Sequence, residues 1–127
     1  MSEEQAIIGV IFAHGTMAEG LASAVSKISG IEDALVPISN EGKGPDSMMA
    51  DLSAAVCDRP AIIFTDLPSG SCAMTALVSC KNRGLRTVVC GVNLPVLLDF
   101  VFHRSLPMEE LVQRLVEKGR ESIRSLP

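Results

Sequence analysis

Four short, unbroken apolar runs recur along the chain, each followed by a longer stretch with helical spacing, and this alternation constrains the fold more than any other feature. The runs occupy residues 6–12 (AIIGVIF), 34–38 (ALVPI), 61–65 (AIIFT) and 87–92 (TVVCGV). A strand with one wet face alternates apolar and polar residues. A run that is apolar throughout is buried on both faces, the habit of a parallel sheet covered by helices. Helices are expected near 17–29, 46–57, 71–82 and 95–103, with a last one over 108–123. In that last segment Met108, Leu111, Val112, Leu115, Val116 and Ile123 share a face. Glu109 and Glu110 come early and Lys118 and Arg120 late, the charge order that suits a helix dipole. The expectation is an α/β protein with an open, mainly parallel four-stranded sheet and helices on both faces.

At 127 residues and 47% apolar, the chain has enough material for one proper core, and a single domain over 1–127 is expected. A net charge of −4 without a Lys/Arg cluster argues against nucleic acid or an anionic membrane as the main partner. The opening MSEEQ is acidic where a secretory signal would be basic. The longest apolar run, residues 6–13, is far below the roughly 20 residues of a membrane span. A cytoplasmic protein is expected. Cys57, Cys72, Cys80 and Cys90 show no C-x-x-C spacing and read as small buried hydrophobes in a reducing compartment. Cys72 stands apart because it falls in a loop of interest. Residues 40–45 (NEGKGP) read as a plain connection and Met48-Met49 as core packing.

In open parallel sheets, ligands bind beyond the carboxyl ends of the strands where strand order reverses. With a flavodoxin-like order, 2-1-3-4, that point lies between the first and third strands. The loop after the first run carries His14, in FAHGTMAEG, and the loop after the third begins at Asp66, in TDLPSGSCAMTA. The topology therefore predicts a His14–Asp66 pair. Thr16 and Glu19 have capping-box spacing, which starts a helix two residues after His14. Ser69-Gly70-Ser71 leads into another helix start, with Gly70 permitting a backbone that cradles an anion. Two helix N-termini facing one pocket make an anion site, with Gly15 keeping the approach open. Asp66 would repel a phosphate unless its charge serves another purpose. That purpose is to accept the imidazole N–H, which fixes the tautomer and leaves the other ring nitrogen as a nucleophile. The arrangement suits a histidine that takes up a phosphoryl group and passes it on. Donor and acceptor come from outside, since nothing resembles a P-loop or a metal cluster, and no cofactor is expected.

Each residue also has a plainer reading. An isolated loop histidine is ordinarily structural, an aspartate after a strand ordinarily caps a turn, and Ser69 and Ser71 can serve as helix caps. His103, in VFHRSLP, reads as a partner for a helix C-terminus. Asp99 and Arg104 read as an exposed pair. Placing Asp66 beside His14 is what favours chemistry over these readings.

Four segments in order, VIFAHGTMAEGL, FTDLPSGS, GVNLPVLLDFV and EKGRESIRSL, give the chain a resemblance over nearly its whole length. It resembles the enzyme IIA domain of the mannose-type sugar phosphotransferase system. The resemblance implies that His14 is the phosphorylated residue and Asp66 its hydrogen-bond partner. It implies phospho-HPr as donor, an enzyme IIB as acceptor, and membrane contact only indirectly through the IIC and IID components. It also implies a homodimer in which a C-terminal strand, here residues 121–126, is exchanged and pairs antiparallel. The family usually reads Asp-x-x-Gly-Gly-Ser-Pro in the second loop. Here the segment is Asp66-Leu-Pro-Ser-Gly-Ser-Cys72, so Ser69 replaces a glycine and Cys72 a proline while Gly70 and Ser71 remain.

Two further classes compete. A metal chelatase of the kind that carries His-Gly after a first strand would need a second His or Glu converging on His14 and a large cleft, and only His103 is available. A regulator would use the same fold as a sensor of phosphorylation state. Flavin binding is poorly served by a chain with no Trp, no Tyr and four Phe.

Overall fold

The computed structural model describes residues 6–81 and 85–127. Strands β1 (Ile8–Ala13), β2 (Leu35–Ser39), β3 (Ala61–Thr65) and β4 (Arg86–Cys90) form one sheet in the order β2-β1-β3-β4, every pairing parallel. Between and after them run α1 (Met17–Ser29), α2 (Pro45–Val56), α3 (Ser71–Ser79), α4 (Leu94–Phe102) and α5 (Met108–Ser122). The expected sheet, its order and its crossovers are all present. Among the described residues no helix is long and apolar enough to cross a membrane. The acidic opening, residues 1–5, lies outside the described residues; the third helix, expected to reach residue 82, already ends at Ser79, where Cys80 and Lys81 turn.

The sheet separates two cores. Ile7, just before β1, and Ile11 and Ala13 within it face the layer of α1, α4 and α5, where Phe100, Leu97, Leu111 and Leu115 lie. Ile8, Val10 and Phe12 face α2 and α3 with Met48, Leu52, Cys72 and Ala76. Neighbouring residues of a strand point to opposite faces, so an apolar run with both faces covered feeds both cores. All residues of β1 and β3 are buried, whereas β2 and β4 are only partly covered because they are edges.

Gly9 shows how tightly the first core closes. A Cβ there would stand 2.6 Å from Leu35 Cδ2 and 2.6 Å from Phe100 Cε2. The Phe100 ring is fully buried and edge-on to Phe64, with centroids 5.2 Å apart and planes at 75°, so it has no room to retreat. The glycine in the middle of AIIGVIF is thus a steric requirement of the helix layer above it.

Several local expectations change. Thr16 stands before α1, but its backbone is at φ −97°, ψ 6° and its side chain makes no cap hydrogen bond. A cap needs extended backbone at that residue, and here the Met17 N–H donates to His14 O in a turn (3.3 Å), which holds Thr16 away from extended geometry. The capping box is not formed. Asn93 does cap: its Oδ1 accepts from the Val96 N–H (3.1 Å), and its Nδ2 donates to Ser122 Oγ (3.1 Å), tying α4 to the end of α5. Only Cys72 is a buried cysteine; Cys57 and Cys90 are exposed and Cys80 is half-buried, since the latter three lie at element ends and an edge. Asp99 is not exposed and does not pair with Arg104. It is buried, and Arg114 grips it with both Nε (2.8 Å) and Nη2 (3.0 Å). Arg104 instead donates from Nε to Ile7 O (2.8 Å). Glu121 and Ser122 are still helical, so of the proposed exchanged strand only the residues after them are free of α5.

Candidate functional site

Strand register builds the site. Phe12 pairs with Thr65, and each chain then leaves the sheet, so His14 and Asp66 emerge side by side. The His14 Nδ1 and Asp66 Oδ2 are 2.8 Å apart, and the same oxygen accepts the His14 backbone N–H at 3.0 Å. The other carboxylate oxygen, Oδ1, accepts the Leu67 N–H at 3.0 Å. Burial alone would raise the Asp66 pKa. The hydrogen bonds and charge of His14, with the local backbone N–H, outweigh burial and hold it below the ordinary carboxylate value. Asp66 is therefore an ionised acceptor, and Nδ1 carries the proton it accepts. In the neutral ring this leaves the lone pair on Nε2. The His14 side chain is 40% exposed and the Asp66 side chain 10%, so the ring meets solvent while its anchor does not.

On the other side, Ala13 pairs with Ser39 of β2. Ser39 Oγ donates to Gly15 O (2.8 Å) and Asn40 Oδ1 accepts the Gly15 N–H (3.3 Å). Gly15 lies at φ +62°, a conformation that side chains disfavour. Ser39 and Asn40 thus fix the turn that carries His14, and a reading of 40–45 as a plain connection misses them. Their signal is present in retrospect: two polar residues end the strand that neighbours the His14 strand.

Asp66 leads to α3 through Ser69 and Gly70. Gly70, at φ +95°, lies under the imidazole, where a Cβ would be 3.9 Å from His14 Cε1. Ser69 and Ser71 are exposed, and neither caps α3 through its side chain. The first-turn N–H groups of α3 are therefore left without side-chain partners beside the ring. Of the predicted set, His14, Gly15, Asp66 and Gly70 converge tightly. Ser69 and Ser71 rim the opening.

Cys72 is the unexpected member. It is the second residue of α3 rather than a loop residue, and it is 1% exposed. A ligand atom each from His14, Asp66 and Cys72 lie within 4.8 Å of one another. Burial raises the Cys72 thiol pKa, and the Asp66 charge raises it further. His103, by contrast, is at the far end of the sheet. It caps α4, its Nδ1 donates to Asp99 O (2.7 Å), and the neighbouring Arg104 bonds Ile7 at the start of β1. It serves the helix terminus as expected and does not supply the second His that the chelatase reading needs beside His14.

An open doubly wound α/β sheet with a His–Asp pair at its switch point defines the structural class. Residues 9–118 match the model of the family described as PTS system fructose IIA component, and the chain belongs to that family. Membership makes it a component of a sugar phosphotransferase system. Among solved structures, the phosphotransferase system component EIIA from Streptococcus agalactiae superposes with a TM-score of 0.87 at 24% identity, covering 94% of this chain and 96% of that one. The mannose/sorbose-specific IIA subunit from Enterococcus faecalis gives 0.85 at 21%, with 96% of each chain covered. A sigma-54 interaction domain protein from Enterococcus faecalis shares the fold at 0.74 and 14% identity, over 97% of this chain and 100% of that one. A search of curated protein sequences finds no match.

Proposed function

We propose that the chain is a phosphocarrier in which His14 accepts a phosphoryl group from phospho-HPr and passes it to an enzyme IIB component for sugar uptake. The observation that carries this reading is the 2.8 Å contact of His14 Nδ1 with an ionised Asp66 beside an uncapped helix N-terminus. The lone pair of Nε2 attacks phosphorus in line as the donor's P–N bond breaks. The ring becomes cationic, and Asp66 stabilises it through Nδ1–H without itself taking the proton. Gly70 and the first-turn N–H groups at Ser71 receive the phosphoryl oxygens, with Ser69 at the rim and Gly15, whose N–H is held by Asn40, keeping the approach open. The barrier is lowered by positioning and electrostatics rather than by a metal or nucleotide of this chain's own.

A homodimer fits the same reading. β4 is an edge strand, and beyond Ser122 the chain is extended with Ile123 and Leu126 about four-fifths exposed at 81% and 79%. Pairing of residues 123–126 with a partner's β4 would cover both the edge and these side chains. Ordinary operation is in the cytoplasm, with the membrane reached only through the IIC and IID components.

The test is phosphate uptake from phosphoenolpyruvate with enzyme I and HPr. A single phosphoryl group, lost in acid and absent from His14→Ala, is expected. Normal uptake by His14→Ala would refute the assignment. The fold shared with a sigma-54 interaction domain protein favours a second use of the same chemistry, as a sensor of phosphorylation state. Passage of the group to a IIB protein separates transport from sensing.

A further inference from the structure

The relay uses His14 and Asp66 but gives Cys72 no role, although its thiol is held in the core against both. We propose that His14, Asp66 and Cys72 form a binding site for a soft divalent cation of the zinc class, and that an ion there shuts the phosphoryl relay. The second half rests on the proposed function; the first does not.

Three arguments support the site. Its donors are one imidazole, one carboxylate and one thiol, a set that suits zinc and not the oxygen-preferring magnesium or calcium. Zinc–ligand bonds place tetrahedral ligand atoms about 3.3–3.8 Å from one another. The three donors already lie within 4.8 Å of each other, and His14 Nδ1 is 2.8 Å from Asp66 Oδ2, so movements of about an ångström complete the cage. The donors come from three separate elements, the β1–α1 turn, the end of β3 and the first turn of α3, each independently anchored. Asp66 is fixed by the backbone N–H groups of His14 and Leu67, both at 3.0 Å, which is the outer-shell support that metal ligands need. The half-exposed face of His14 leaves one position open for entry and for water.

Inactivation follows from the chemistry of the ring. If the ion takes Nδ1, it replaces the hydrogen-bonded proton and the neutral ring carries its proton on Nε2, whose lone pair is then gone. If the ion takes Nε2, it occupies that lone pair directly. In both cases the thiol proton leaves to solvent as Cys72 binds, and the nucleophile is blocked.

The first experiment is zinc titration against a chromophoric chelator, with cobalt(II) as a spectroscopic substitute. One ion per chain is expected, with a thiolate-to-cobalt charge-transfer band. Cys72→Ala should abolish the band and weaken zinc binding at least about 100-fold, since even an outer-shell partner is worth about 10–100-fold. Asp66→Asn should also weaken it. Unchanged zinc affinity in Cys72→Ala, or a cobalt adduct without the thiolate band, overturns the site. Should Cys72→Ala not fold, the cobalt spectrum of the unaltered chain decides. The second experiment adds zinc to the phosphate-uptake assay. Zinc should stop uptake in the unaltered chain and leave the rate of Cys72→Ala at its own zinc-free value. Zinc that binds but leaves uptake untouched overturns the inactivation. Metal binding as expected in a chain that takes up no phosphate would refute the phosphocarrier reading and leave the cation site standing.

Discussion

Asp66 acts through one oxygen that faces both the backbone and the ring of His14. Asp66→Asn keeps the shape but offers an amide where the ring needs a charge, so the tautomer is no longer fixed and the cationic ring is no longer stabilised. Transfer should slow by about 100-fold, the lower end of what a positioned proton-handling group supplies, while the His14→Ala chain takes up nothing. A smaller effect than about tenfold would show that Asp66 is only a turn residue. The same carboxylate links stability to pH. Its folded pKa is depressed, so its contribution is complete above the ordinary carboxylate value of about 4 and is lost as pH falls through the lower folded value. Urea midpoints measured from neutral to acid should therefore fall more steeply for the unaltered chain than for Asp66→Asn. At this scale the sequence was informative about His14 and Asp66, because topology alone sets their meeting. It marked Cys72 but put it in a loop, since its inward direction depends on where α3 begins, and it was silent on Ser39 and Asn40, whose role depends on β2 lying beside β1.

Elements bear out or break their sequence signatures according to neighbours the signature does not contain. Gly9→Ala places a methyl group into the Phe100 ring and should destabilise the fold by about 1–3 kcal/mol, read as a lower denaturant midpoint with phosphate uptake unchanged per folded molecule. A neutral result would mean that α4 shifts freely on the sheet. Thr16 and Asn93 form a contrast. Both precede helices, yet only Asn93 caps with its side chain. Asn93→Ala should cost about 1 kcal/mol, and Thr16→Ala well under half of that. Equal losses would restore the capping box at Thr16. The continuous apolar runs read correctly as a covered parallel sheet, but burial on both faces held fully only for β1 and β3. Periodicity cannot say which strand will be an edge. Helix limits were legible to within a residue or so wherever Pro or Gly punctuated them.

Among the described residues β4 is an edge strand and the tail after Ser122 lies outside any element. Removing residues 123–127 leaves every described element intact, so a truncated chain should fold but sediment as a monomer if those residues join two copies. A monomeric full-length chain, or a dimer that survives truncation, would refute strand exchange. The resemblance placed that strand from residue 121, whereas helical spacing placed the end of α5 near 123, and the structure sides with the spacing for Glu121 and Ser122. Family and fold were legible from four motif segments in one order, and the fold is shared with two structures only 24% and 21% identical. The central claim is that Asp66 turns His14 into a nucleophile at Nε2. The most direct measurement is nitrogen NMR of the chain labelled in its histidines, before and after phosphorylation by enzyme I and HPr. A protonated Nδ1 is expected in the free chain and phosphorus bound to Nε2 of His14 afterwards. A phosphoryl group on Nδ1, on His103, or on neither histidine would contradict it.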